Sequence, residues 1–448
     1  MKNYIEKNLT AMKEDLATLV SHNSILNNDA LPFGLENRKV LDDAMKLMAD
    51  KGFRTKNVDY YACYGEIGAG DEVIGILAHL DIVPAGDGWD SDPFAMVEKD
   101  GYLFGRGVSD DKGPAIASMY AMKYLLDTGY PFKKRVRLIL GCNEETGSKC
   151  IEHYVEKEGH IDMGFTPDGG FPGIYAEKGM IGGYLVGKNT KFLAIKGGDA
   201  GNIVCKNVDA RLPLGSFDEE AFARYLDEHE IKYAIRKDDA ININVQGLAA
   251  HASTPQHGIN AIAYLMEALY AAKLDDEFVN FFHKNFALTY NGELLGYEEL
   301  KDEESNTTIN FGTVSFTDGS IRISLDMRFP VQSSYQKCLA PLMKMNEENS
   351  FFESSGRGVE PLYFNQDTPM IKALMKAYVD VTGDHESKME AIGGGTYAKA
   401  IHNCIAFGAG FPNSEDMHMH NANERLKIED FKKQVEIYVE AIKNLNEA

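Results

Sequence analysis

Val73-Ile-Gly-Ile-Leu-Ala-His79 is a short continuous apolar run, and Arg135-Val-Arg-Leu-Ile-Leu-Gly-Cys142, apolar from Leu138 onward, reads as another buried strand. Short runs without polar alternation suit strands buried on both faces. Between them, Lys112 to Thr128 reads as a helix that stops at Gly129. Strand, helix and strand in this order leave few options. The fold class expected is α/β, a mostly parallel sheet with helices on both faces. Such sheets bind ligands beyond the carboxyl ends of their strands. His79 and Glu144 fall at or just past two such ends.

Helical spacing also marks Tyr4 to Val20 and Asn37 to Lys51, the second stopped by Gly52. After about Gly179 the pattern changes. Residues 181–363 mix β-like stretches (Phe192 to Ile195, Ile241 to Val245, Ile309 to Val314, Ile321 to Arg328) with helices at Asp218 to Glu228, Ile259 to Lys273 and Tyr335 to Glu347. Helical spacing resumes at Met370 to Val381 and closes the chain from Ile428 to Leu445. We therefore expect a discontinuous catalytic domain, 1–180 with 364–448, carrying an inserted α+β lid domain, 181–363. At 448 residues the chain is too long for a single core.

The formal net charge is −22. That sign disfavours nucleic acid and anionic membrane surfaces as partners. The six cysteines include no C-x-x-C pair, so free thiols in a reducing compartment are expected. Met1 to Val20 is charged throughout and resembles neither a signal peptide nor a membrane span. The expectation is a cytoplasmic protein, a monomer, with a homodimer as the other option.

Six clusters carry the chemistry. His79 and Asp81 are two apart, so on an extended exit they point the same way, and the acid can orient the imidazole. Asp110 and Asp111 open a helix, where a carboxylate serves either as an N-cap or, with both oxygens free, as a bridge between two cations. Glu144 and Glu145 follow a buried strand and face opposite ways. One can ligate while the other acts as a base. Asp168 lies in Thr166-Pro-Asp-Gly-Gly, which also has turn chemistry. His420 stands four residues before Glu424, with His418 competing for the same role. His251 lies in a loop, Gly247 to Ser253. Imidazoles, carboxylates and one spare acid are the parts of a two-zinc hydrolase.

Together these strings resemble the M20 metallopeptidase family, most of all its dipeptidase V / Xaa-His dipeptidase (carnosinase-like) branch. The matching segments are His79-Leu-Asp-Ile-Val-Pro84, Gly105-Arg-Gly-Val-Ser-Asp-Asp-Lys-Gly113, Asn143-Glu-Glu-Thr-Gly147, Pro167-Asp-Gly-Gly-Phe-Pro172, Ala176-Glu-Lys-Gly179 and the His420/Glu424 pair. The resemblance implies two zinc ions per chain, with cobalt or manganese as substitutes, on His79, Asp110, Glu145, Asp168 and His420. Asp110 would bridge, Glu144 would be the general base and Asp81 would support His79. It implies that His251 stabilises the transition state. It also implies that Asn202 and Arg328 hold the substrate carboxylate, with the loop of Gly394, Gly395 and Thr396 touching substrate. Where the family has Asn-Val-Val-Pro, this chain has Asn202-Ile-Val-Cys205.

The expected function is a zinc-dependent dipeptidase acting on short peptides, with Xaa-His or β-Ala-His among them. Rival expectations are another amide hydrolase of the same fold (N-acyl amino acid deacylase, succinyl-diaminopimelate desuccinylase, tripeptidase) and a non-catalytic peptide or metal binder. A retained Glu144 speaks against a mere binder, which needs no spare base.

Overall fold

The computed structural model describes residues 1–302 and 306–448. The chain divides into two compact units. The first comprises Met1–Tyr175, Phe364–Glu390 and Gly395–Ala448, and the second Ala176–Tyr363 with Ala391–Gly394.

The first unit is built on the two expected buried strands. Strands Arg135–Gly141, Val73–His79, Met163–Thr166 and Cys404–Ala406 lie side by side and parallel. Val73–His79 is buried along its whole length, as an interior strand must be. Two strands that sequence patterning did not single out, Arg54–Val58 and Ala62–Gly68, extend the sheet antiparallel beyond Arg135–Gly141.

Helices cover both faces. A Cβ on Gly65 would strike Met48 of helix Leu35–Asp50, and one on Gly141 would strike Cys150 of helix Lys149–Glu158. Gly65 registers with Leu138, three residues from Gly141, so alternation puts the two contacts on opposite faces. Helix Lys112–Asp127 has almost no exposed side and lies in the interior, where a helix apolar all round belongs. Its entry is tight. A Cβ on Gly113 would stand 2.0 Å from the Val108 carbonyl oxygen, so only glycine fits.

The second unit is α+β. Its eight strands run in the order Lys232–Lys237, Ile241–Gln246, Asn207–Leu212, Ala194–Gly197, Thr308–Thr317, Ser320–Phe329, Gly179–Lys188 and Phe352–Val359. Neighbours pair antiparallel. Helices Glu219–Glu228, Ala261–Ala271 and Glu277–Asn285 begin on Asp218, Asn260 and Asp276, whose side chains accept from the first free backbone N–H groups.

Strand Gly179–Lys188 is too glycine-rich to announce itself by propensity. Its reason is tertiary. Cβ atoms on Gly179, Gly183 and Gly187 would meet the rings of Phe329, Phe352 and Phe278 at 2.1, 2.4 and 2.5 Å. The three glycines share one face of the strand and make room for three aromatic rings.

All six cysteines are buried and unbridged. Among the described residues no helix is long and apolar enough to cross a membrane.

Candidate metal centre and active site

Three adjacent parallel strands deliver acidic or imidazole groups at their carboxyl ends. His79 ends its strand in register with Gly141. Asn143-Glu144-Glu145 follows Gly141, and Asp168 follows Thr166, the end of the next strand. Neighbouring chain ends a strand spacing apart bring these groups into one cluster.

The His79 ring is fixed from below. Its Nδ1 lies 3.0 Å from the backbone oxygen of Asp81 and 3.6 Å from the Asp81 carboxylate. The carbonyl accepts the Nδ1 proton, which leaves Nε2 as the nitrogen that faces the cluster. Asp81 also organises the glutamate loop. Its two carboxylate oxygens accept the backbone N–H groups of Glu144 and Glu145, each at 3.1 Å. Tyr397 packs edge-on against the His79 ring at 5.9 Å between centroids, and its hydroxyl meets the Cys150 sulfur at 2.9 Å.

Asp110 divides its two oxygens. Oδ1 lies 3.0 Å from His79 Nε2, and Oδ2 lies 2.8 Å from His420 Nε2. His420 Nε2 also reaches Glu145 at 3.2 Å, while Asp168 stands 3.9 Å from His79 Nε2. Two sets of donors come within 4.8 Å of one another: His79, Asp110 and Glu145, and His79, Glu144 and Asp168. His418 turns elsewhere, its Nδ1 3.4 Å from the Ala422 carbonyl oxygen. Both histidines have left-handed backbones, φ 56° and 61°.

The electrostatics of the cluster call for a cation. Burial pushes Glu144 well above the usual carboxylate range, and Asp168 nearby pushes the same way. Burial likewise raises Asp81 to about 6. Burial opposes ionising both His79 and Asp110. The Asp110 bond and the charges of Asp81 and Asp168 nevertheless hold the His79 imidazole above its ordinary value. Its bonds to Asp110 and Glu145 carry His420 to about 10. Asp110 is held below the carboxylate range because its two imidazole partners outweigh burial. Several acids packed around two imidazoles are poorly compensated by protons alone, and divalent cations would favour their anionic forms. Nitrogen and carboxylate donors suit zinc, and cobalt and manganese also accept them.

One pair of residues carries a role that sequence patterning left unassigned. Glu424 is wholly buried, and its carboxylate accepts from Arg106 Nη1 at 2.7 Å. It also accepts the backbone N–H groups of Gly107, Ser109 and Asp110. The guanidinium lies over the Trp89 ring. Glu424 thus holds the turn that presents Asp110, and its spacing from His420 reflects that scaffold. Glu424→Gln should weaken metal affinity about 10- to 100-fold through the misplaced Asp110. It should also destabilise the fold by about 3–5 kcal/mol, because Arg106 is left buried without its counter-charge. Metal titration and denaturant unfolding check both numbers, and unchanged values would remove Glu424 from this role.

The second unit gathers its own polar group. The turn at Asn202 pairs with the His251 loop through Ala252 N–H to Asn202 O, 2.9 Å, and Val204 N–H to Ala250 O, 2.8 Å. Both Asn202 and His251 are exposed. His251 Nδ1 receives the backbone N–H and the hydroxyl of Ser253, at 3.2 and 2.7 Å. An N–H can only donate, so Nδ1 accepts and the ring proton sits on Nε2. Partial desolvation of the ring and the Arg328 charge outweigh Asp326 and lower the His251 pKa, which favours the neutral ring. Arg328 is nearly buried, and its Nε and Nη2 are forked onto Asp326. Of the glycine loop, Gly394 belongs to this unit, with open space beside it apart from Ile392. Gly395 and Thr396 return to the first unit, where Thr396 Oγ1 caps the turn at Tyr397–Ala400.

Known proteins resemble this chain over most of its length. The profile of peptidase family M20/M25/M40 matches residues 75–444. A Staphylococcus haemolyticus protein named "putative dipeptidase SH1171" is 34% identical over 453 residues, 96% of each chain. A Staphylococcus aureus protein, strain USA300, also named a dipeptidase of that kind, is 31% identical over 99% of this chain and 98% of its own. Among solved structures, human carnosine dipeptidase 1 superposes with a TM-score of 0.62 at 17% identity, covering 100% of this chain and 98% of its own. The Saccharomyces cerevisiae dipeptidase Dug1p does so with 0.61 at 15% identity, covering 100% and 98%. A profile match over most of the chain, on a fold that ends three strands in one donor cluster, establishes this protein as a peptidase of family M20/M25/M40.

Proposed function

We propose that the chain is a zinc-dependent dipeptidase. The observation that carries this reading is the division of Asp110 between His79 and His420. A carboxylate with one oxygen on each of two histidines is the bridge a two-metal site needs. His79, Asp168 and Asp110 would hold one ion, and His420, Glu145 and Asp110 the other. Two such ions supply Lewis acidity toward a scissile carbonyl and lower the pKa of an attacking water. Glu144 takes the proton of that water and passes it to the leaving amine. Asp81 keeps Glu144 and His79 in place through the bonds described above. His251 donates Nε2–H to the developing oxyanion, and Asn202 and Arg328 receive the substrate's terminal carboxylate, which restricts substrates to short peptides. The six unbridged thiols suit a reducing, cytoplasmic location, and we propose a monomer that works alone.

The test is turnover of Leu-Gly, β-Ala-His and N-acetyl-methionine by enzyme stripped with a chelator and reloaded with zinc. Zinc-restored cleavage of the dipeptides is expected. Cleavage of N-acetyl-methionine alone would make the protein a deacylase, and no cleavage of any of the three would leave only a binding role.

The ligand assignment near the carboxyl end has its own test. His420→Ala should bind one metal fewer per chain, and His418→Ala should keep the full complement. Metal analysis of the two purified variants decides it, and the reverse pattern would move the ligand to His418.

A further inference from the structure

Arg328 is set up in an unusual way for a residue that must receive a carboxylate. It lies two residues from Asp326 on strand Ser320–Phe329, so both side chains leave the same face. Asp326 takes the guanidinium side-on, Oδ1 at 2.6 Å from Nε and Oδ2 at 2.8 Å from Nη2. The carbonyl oxygen of Gly393 takes a third N–H, from Nη1, at 3.0 Å. Gly393 in turn is pressed onto the His251 loop: a Cβ there would stand 2.2 Å from the Ser253 Cβ. No side chain larger than glycine leaves that carbonyl where it is.

A guanidinium has five N–H groups. Among the described residues three are used, one remains on each terminal nitrogen, and the plane is clamped on two sides. The residue itself is only 4% exposed. A buried arginine clamped in plane, with an N–H left on both terminal nitrogens, is organised for a planar two-oxygen acceptor.

We propose that Asp326, with the Gly393 carbonyl, is a positioning residue that makes Arg328 selective for a free carboxylate over a carboxamide at the substrate's end. This rests on the reading that Arg328 binds that group. The charge balance fits. Asp326 neutralises most of the arginine's long-range pull, so recognition depends on the geometry of two N–H donors rather than on charge alone. A carboxamide offers one acceptor oxygen and turns an N–H toward the other donor, a mismatch that costs affinity.

The experiment compares a dipeptide with its C-terminal amide, as the ratio of kcat/KM values, in the metal-loaded enzyme. Wild type should prefer the free acid. Asp326→Asn keeps the shape but offers one acceptor and one misplaced donor to the guanidinium. It should reduce the preference about 10- to 100-fold, through KM for the free acid rather than through kcat. Asp326→Glu, whose carboxylate can still fork, should recover part of it. In the background of Arg328→Ala, Asp326→Asn should change the preference no further. A preference kept intact in a folded Asp326→Asn protein, or a further loss in the Arg328→Ala background, would overturn the proposal. If wild type and Arg328→Ala show the same preference, it is the assignment of Arg328 to the carboxylate that fails, whatever Asp326 does. Circular dichroism and metal content measured on every variant exclude misfolding as the cause.

Discussion

Glu144→Gln should lower kcat by about 10²- to 10⁴-fold with the metal complement intact, since positioned proton transfer contributes that much. The structure makes this variant a discriminating one. Glu144 belongs to a donor set with His79 and Asp168, so its carboxylate stands where either a ligand or a base could act. A ligand and a base fail differently. If Glu144 serves as the base, glutamine keeps the shape and the backbone bond to Asp81, and metal analysis finds full occupancy in a nearly inactive protein. If it serves as a ligand, glutamine loses metal, and activity recovers as metal is added in excess. Near-normal kcat at full occupancy would end both assignments. The buried, acid-crowded setting that raises its pKa also suits the second half of the reaction. A carboxylate that accepts a proton readily can hold it until the leaving amine takes it.

The second large effect is expected at His251. His251→Ala should leave metal content unchanged and lower kcat about 10²- to 10³-fold, or roughly 3–4 kcal/mol, the usual loss for one oxyanion donor. KM should move little, because the contact strengthens only as charge develops on the substrate oxygen. The tautomer supports this role. Ser253 supplies two donors to Nδ1, which leaves Nε2–H as the outward donor of a neutral ring. Ser253→Ala should then cost less than the histidine itself, since the backbone N–H still fixes the ring. Mixing His251→Ala with Glu144→Gln protein tests whether one chain suffices. An inactive mixture is expected, and recovered activity would mean that the histidine is donated between subunits.

Some of this protein was readable residue by residue. Val73–His79 is buried at all seven positions and Arg135–Gly141 at all but its first, and an interior strand leaves a largely apolar stretch, continuous in the first and running from Leu138 in the second. Helix Lys112–Asp127 and the parallel order followed from that alternation. The chemical types of the cluster were readable as well, because they stand at strand ends and helix starts, which are local features.

The tertiary structure decided the partners. Arg106 and Glu424 are 318 residues apart, and nothing local announces that one buried carboxylate holds three backbone N–H groups of the Asp110 turn. Sequence spacing named Asp81 as a support for His79, but only the fold showed its backbone oxygen taking the ring proton while its carboxylate holds the glutamate loop. His418 and His420 are equivalent by type and told apart only by their partners, the Ala422 carbonyl for one and the carboxylates of Asp110 and Glu145 for the other. Strand Gly179–Lys188 exists because three phenylalanines from elsewhere fill the space its glycines leave. The common reason is that apolar periodicity is a property of a segment, whereas a hydrogen-bond partner or a packed ring is chosen by distant chain that only folding brings near.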